Sequence, residues 1–279
     1  MNLQKAALEI REIIQNKQKE LGLSFEEEEH IYTMSKKSNW PSVTTILKTF
    51  YTEFPTEEAA YKKAGGDPQR QEELIKEWGD AGDYATNLGS RVHYLLEKKV
   101  IESNGSYKQV RQPIFECDVI QTMMGDSMIK AGEKYIKLLE ERGAVLLDTE
   151  AVLGDPELGY TGQPDNLWLI PNKKRTEIGF FISDWKSNKS KNFLETKYTK
   201  RLKPPFQTYP DTALGHYYVQ LPFYGKLLLK MLEGSKYENI KLLGCIVVHL
   251  KEDSEYQEYR VPTDIISTVL DMNMKEYLK

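Results

Sequence analysis

The run IGFFISDWK, residues 178–186, sets the tightest limit on how this chain can fold. Its apolar residues are continuous rather than alternating, which reads as a buried β-strand bounded by a polar end. A strand of that kind belongs inside a sheet covered by other layers. Side chains alternate across a strand, so Asp184 and Lys186 point to one face and Trp185 to the other. Burying a carboxylate beside an ammonium is costly unless the pair has a use. Taken alone, the pair also fits an edge-strand ion pair of little energetic value.

Around that strand the texture of the chain divides in two. Residues 3–21 read as a charged amphipathic helix, and EEEEHIYTMSKKSNW as a short polar hairpin with its acid run in solvent. Ser42 is placed to cap an apolar-periodic segment, PSVTTILKTF. Helical patterning runs from Thr56 to about Ile101, broken by AGGDP at 64–68, and returns over 117–142. From residue 143 the runs AVLLDTEAVLG, YTGQPDNLWLI, IGFFISDWK and LLGCIVVHL read as strands. VQLPFYGKLLLKMLEG reads as a helix between the third and fourth, and 262–278 as a closing helix. This order predicts one α/β domain over 1–279, with a mainly helical part at 1–142 and a sheet core flanked by helices at 143–279.

Charge and cysteine content narrow the setting. With 38 basic and 42 acidic side chains the net charge is -4, so the chain as a whole is no polycation. The distribution is uneven: seven basic residues stand between 186 and 203 against one acid, Glu195. Phe193, Tyr198, Phe206 and Tyr209 lie among or just beyond them. Cations interleaved with rings suit a single-stranded nucleic acid, although a solvated lysine-rich loop has the same composition. Two cysteines cannot build a disulfide framework or a four-cysteine metal site. With no membrane-length apolar run and no signal-peptide core, a reducing, cytoplasmic setting is expected, with no membrane partner.

The polar residues near the strand ends form a pattern. If the strands of YTGQPDNLWLI and IGFFISDWK pair as a hairpin, Asp165 and Asp184 arrive at the same end of the sheet. Two carboxylates held close repel unless a cation lies between them, and oxygen ligands favour Mg²⁺ or Mn²⁺. Glu150, expected in the middle of the first strand, offers another oxygen. His93 and Glu97 share a helical face with Gly89, and a neutral imidazole there can complete a carboxylate metal site. Gln220 and Tyr224 share a face if Pro222 lies in the first helical turn, and suit phosphate or base contacts; taken alone, the pair fits an ordinary amphipathic helix capping the sheet better.

Together GSRVHYLLE, Glu150, GQPD, DWK and QLPFY, in that order over residues 89–224, resemble the PD-(D/E)XK nuclease superfamily, in particular its RecB-type branch. WPSVTTILKTF and GCIVVHL extend the similarity towards the mitochondrial genome maintenance exonucleases and their phage and bacterial relatives. The resemblance implies a restriction-endonuclease-like α/β core with a central mixed β-sheet flanked by helices, plus a helical N-terminal elaboration. It implies a Mg²⁺- or Mn²⁺-dependent exonuclease acting on DNA, single-stranded or with free ends. His93, Asp165 and Asp184 would be metal ligands, assisted by the backbone carbonyl of Trp185, with Glu150 contributing a carboxylate. Lys186 would be the catalytic lysine, and Gln220 and Tyr224 the accessory pair. DNA contacts are expected from Arg91, Ser187, Lys189, Lys191, Lys197, Tyr198, Lys200, Arg201 and Lys203. The iron–sulfur cysteines of some RecB-type relatives have no counterpart. A structure-selective endonuclease or resolvase, or a non-catalytic DNA-binding module, are the competing readings.

Overall fold

The computed structural model describes residues 2–27, 29–105, 107–172, 176–189, 193–194 and 200–278. Helix α1 (Leu3–Leu21) starts at Asn2, whose side chain accepts from the Lys5 N–H at 3.1 Å, and stops at Gly22, which takes the left-handed conformation. A hairpin of β1 (Ser24–Glu26) and β2 (Ile31–Thr33) follows. Ser42 caps the short α2 (Val43–Leu47), as its position in the sequence implies.

The next helices are α3 (Thr56–Lys63) and α4 (Pro68–Ser103), separated where Gly65 and Gly66 adopt positive φ. Asp67 caps α4, with Pro68 in its first turn where no backbone donor is needed. A capping box of Asp118 and Gln121 opens α5 (Val119–Glu141).

The sheet strands are β3 (Val145–Thr149), β6 (Asn166–Pro171), β7 (Ile178–Lys186), β8 (Lys241–Leu250) and β9 (Tyr256–Arg260), in that spatial order. Pairing is antiparallel except between β7 and β8, which run parallel and are joined through α6 (Ala213–Met231). The molecule is therefore α/β, with a central five-stranded mixed sheet flanked by helices. Helix α7 (Thr263–Asp271) follows β9.

Strand β7 lies at the centre, with buried residues from Gly179 to Trp185. Its alternating sides feed two cores. Phe180 and Ile182 pack with residues of α1, α2, α6 and α7, whereas Phe181 and Trp185 pack with Leu88, Val92 and Leu96 of α4 and Tyr135 of α5. Gly132 of α5 would place a Cβ within 2.5 Å of the Leu96 side chain, so the α4–α5 contact needs a residue without one.

Four expectations change. A second hairpin, β4 (Leu153–Asp155) with β5 (Tyr160–Gly162), occupies ends of runs read as single strands. Glu150 is not in mid-strand: β3 ends at Thr149 and Glu150 turns the chain at φ 45°. Pro222 sits inside α6 rather than in its first turn, because Thr212 starts that helix well before the apolar run. The closing helix ends at Asp271, and β9 precedes it unforeseen. No helix of the described residues is long and apolar enough to cross a membrane.

Candidate active site

Three strand ends build the site. Asn166 pairs with Ser183 in the β6–β7 ladder, so Asp165 and Asp184 come next to each other one step beyond it. The Trp185 N–H donates to Asp165 Oδ2 at 2.7 Å. Contacts from the end of β3 lock the same corner: the Asp165 carbonyl accepts from Thr149 Oγ1 at 2.6 Å and from the Glu150 N–H at 3.1 Å. Gln163 Nε2 donates to the Glu150 carbonyl at 3.1 Å. These bonds hold Glu150 in the left-handed region, where a side chain costs about 1–2 kcal/mol.

Helix α4 brings His93 to this corner. His93 Nδ1 lies 3.5 Å from Asp165 Oδ2. Ligand atoms of His93, Glu150 and Asp165 all lie within 4.8 Å of one another. Asp184 sits alongside, 2% exposed, and its Oδ2 has no aligned hydrogen-bond donor among the described residues. The close cation is Lys186, whose Nζ is 2.5 Å from that oxygen. From α6 the Tyr217 ring lies under the same ammonium, 4.5 Å from its centroid. One helical turn further on, Gln220 Nε2 donates to Tyr224 Oη at 2.8 Å.

A single cavity of about 610 Å³ is lined by His93, Glu97, Glu150, Asp165, Asp184, Lys186, Gln220 and Tyr224. Gly89 and Gly162 are also in its wall. A Cβ on Gly162 would stand 2.6 Å from the Tyr224 ring, so glycine there lets the ring approach.

The electrostatics follow from crowding carboxylates out of water. Burial, reinforced by Asp165 and partly offset by Lys186, pushes Asp184 up to about 7. Burial, then Asp165 and Glu97, pushes Glu150 well above the usual carboxylate range. For Lys186, burial acts downward, but Asp184 and Asp165 outweigh it and keep the ammonium charged. Burial pushes His93 down, which favours a neutral imidazole with a free lone pair. Burial also raises the Tyr224 phenol, with Asp184 adding to it. Hydrogen-bonded, mutually repelling oxygens plus one neutral imidazole form a donor set that fits a hard divalent cation.

Other residues named from the sequence lie elsewhere. Arg91 pairs with Asp126 of α5 at 2.6 Å and does not line this cavity. Ser187 lies against α4, its Oγ 3.4 Å from where a Cβ on Gly89 would be. Lys189, Lys200, Arg201 and Lys203 are exposed outside the cavity lining. Lys191, Lys197 and Tyr198 fall outside the described residues.

Among the described residues, Phe193 and Phe206 do not form an open stacking groove. Phe193 and Phe206 are 0% and 2% exposed, against His249 and Phe50 respectively, because they anchor this segment to the core. Tyr209 donates to Asp264.

Sequence reasoning missed Tyr217, three residues before Gln220, and Lys108. The Lys108 ammonium donates to the Thr149 carbonyl and lies 3.5 Å from Glu97. It also missed Phe25, His30 and Tyr32, which line the cavity from the β1–β2 hairpin. The alternation of Phe25 and Tyr32 with polar neighbours was the available signal. No protein-family model matches the chain, and no curated protein matches it.

Proposed function

We propose that the chain is a metal-dependent deoxyribonuclease that hydrolyses phosphodiester bonds from single-stranded DNA ends, on a PD-(D/E)XK-type core. The observation that carries this reading is the convergence of His93, Glu150, Asp165, Asp184 and Lys186 in one cavity, from four separate stretches of chain.

His93, Glu150, Asp165 and Asp184 would hold Mg²⁺ or Mn²⁺. When bound, such a cation neutralises phosphate charge and acidifies water. Asp165 and Asp184 are held by the β6–β7 ladder, so their oxygens need little reorganisation. Lys186, charged and anchored between Asp184 and Tyr217, orients a scissile phosphate and stabilises the negative charge that develops on it. Gln220 and Tyr224 offer an amide and a phenol from the α6 side for a neighbouring phosphate or base. Phosphate contacts and stacking are sequence-tolerant, so no base readout is expected.

Digestion of end-labelled linear, end-blocked and circular single-stranded DNA in Mg²⁺ tests the proposal. Linear DNA is expected to be degraded from an end, circular DNA to survive, and EDTA to stop the reaction. Cutting of circles reassigns the chain as an endonuclease. Intact linear DNA under all conditions removes the nuclease reading.

A further inference from the structure

The cavity has a wall that hydrolysis does not use. The β1–β2 hairpin places Phe25, His30 and Tyr32 in the same lining as His93, Asp165 and Lys186. Phe25 and Tyr32 are directly paired in register and stack, with centroids 4.4 Å apart and ring planes at 30°. His30 meets Phe25 at 5.1 Å with the ring planes at 88°. Tyr32 is buried, Phe25 half-buried and His30 exposed, so the ring surface left open belongs to Phe25 and His30.

The hairpin behind this surface is tied down by hydrogen bonds. The Ser35 N–H donates to the Leu21 carbonyl at 2.6 Å, and the Trp40 N–H to the Tyr32 carbonyl at 3.2 Å. Trp40 Nε1 donates to the carbonyl of fully buried Met34 at 2.7 Å. A fixed aromatic face costs little ordering when a planar ligand settles on it. It also adjoins the carboxylates, since Glu150 and Asp165 line the same cavity.

Charge selects which part of a nucleotide can sit there. Glu26 and Glu29 are exposed on the hairpin, and Glu27 lies 4.0 Å from Arg111 at the rim. Acids repel a phosphate but not the π-face of a base. We infer that Phe25 and His30 form a stacking platform for the nucleobase next to the scissile phosphate, a subsite that rests on the phosphodiester reading. Stacking on such a platform accepts any base, and its loss is felt in binding.

The test uses short single-stranded DNAs carrying 2-aminopurine at each of the last three positions from either end. Terminal phosphorothioate linkages slow hydrolysis while the whole chain is titrated in Mg²⁺. The wild type is expected to quench the probe at one terminal position. Phe25→Leu, which keeps apolar bulk without a ring, is expected to lose the quench, with affinity about 5- to 100-fold weaker. Phe25→Trp should restore both, and circular dichroism melts should match for all three chains. An undiminished quench in Phe25→Leu overturns the platform. Hydrolysis of unmodified DNA with a Phe25-independent quench removes the platform alone; a Phe25-dependent quench without hydrolysis removes the nuclease reading alone.

Discussion

Lys186→Ala is expected to slow Mg²⁺-dependent DNA hydrolysis about 100- to 1,000-fold, the usual cost of deleting one preorganised charge-stabilising group. DNA affinity should stay within a few-fold of wild type, because Lys186 is one cation in a cavity that other walls also form. The side chain is 16% exposed, with its ammonium held between Asp184 and the Tyr217 ring. That mounting fixes its direction before substrate arrives, so the loss should fall on the chemical step rather than on binding. Single-turnover rates and fluorescence anisotropy separate the two. Wild-type rates in the variant remove Lys186 from the reaction.

Asp184→Asn is expected to kill activity and to change how the stability of the metal-free fold depends on pH. The carboxyl of Asp184 is pushed up to about 7 in the folded chain, chiefly by burial and then by Asp165. Unfolded, an aspartate titrates near 3.9. Between these values the folded state binds more protons than the unfolded one, so wild-type stability falls as pH rises from about 4 to about 7. Asparagine mimics the neutral carboxyl and escapes that loss. Relative to the wild type, the variant should gain stability as pH rises from about 4 to above 7. Thermal melts in EDTA, compared between the two proteins across that range, read it as several degrees of Tm. A difference that stays flat with pH means that Asp184 carries no burial cost. The same repulsion is what a bound cation would relieve, so the destabilised corner and the proposed catalytic corner are one place.

Much of this corner is legible in the amino-acid order because strand alternation fixes faces without further information. Asp184 and Lys186 point one way and Trp185 the other, and hairpin pairing then forces Asp165 beside Asp184. The cap at Ser42 and the glycine break before α4 are equally local.

What escaped depends on partners remote in sequence. Strand β9, YQEYR, is a half-exposed edge whose charges mask its period. Glu150 ends β3 because its N–H and carbonyl find Asp165 and Gln163, which no window around residue 150 displays. In the lysine-rich stretch, Phe193 and Phe206 are core residues, a placement the run of charges around them does not display. Composition cannot distinguish a ring that stacks on a ligand from one that anchors a loop.

The most direct test of the cluster as a metal centre is calorimetric titration of Mn²⁺ into the wild type and Asp165→Asn. Asp165 is the carboxylate that touches most of the corner, within reach of His93 and Glu150 and bonded to the Trp185 N–H. Saturable binding by the wild type, at least about 10-fold weaker in the variant, is the expected result. Equal affinity in the two proteins, or no binding by the wild type, contradicts a metal-dependent nuclease built on these residues.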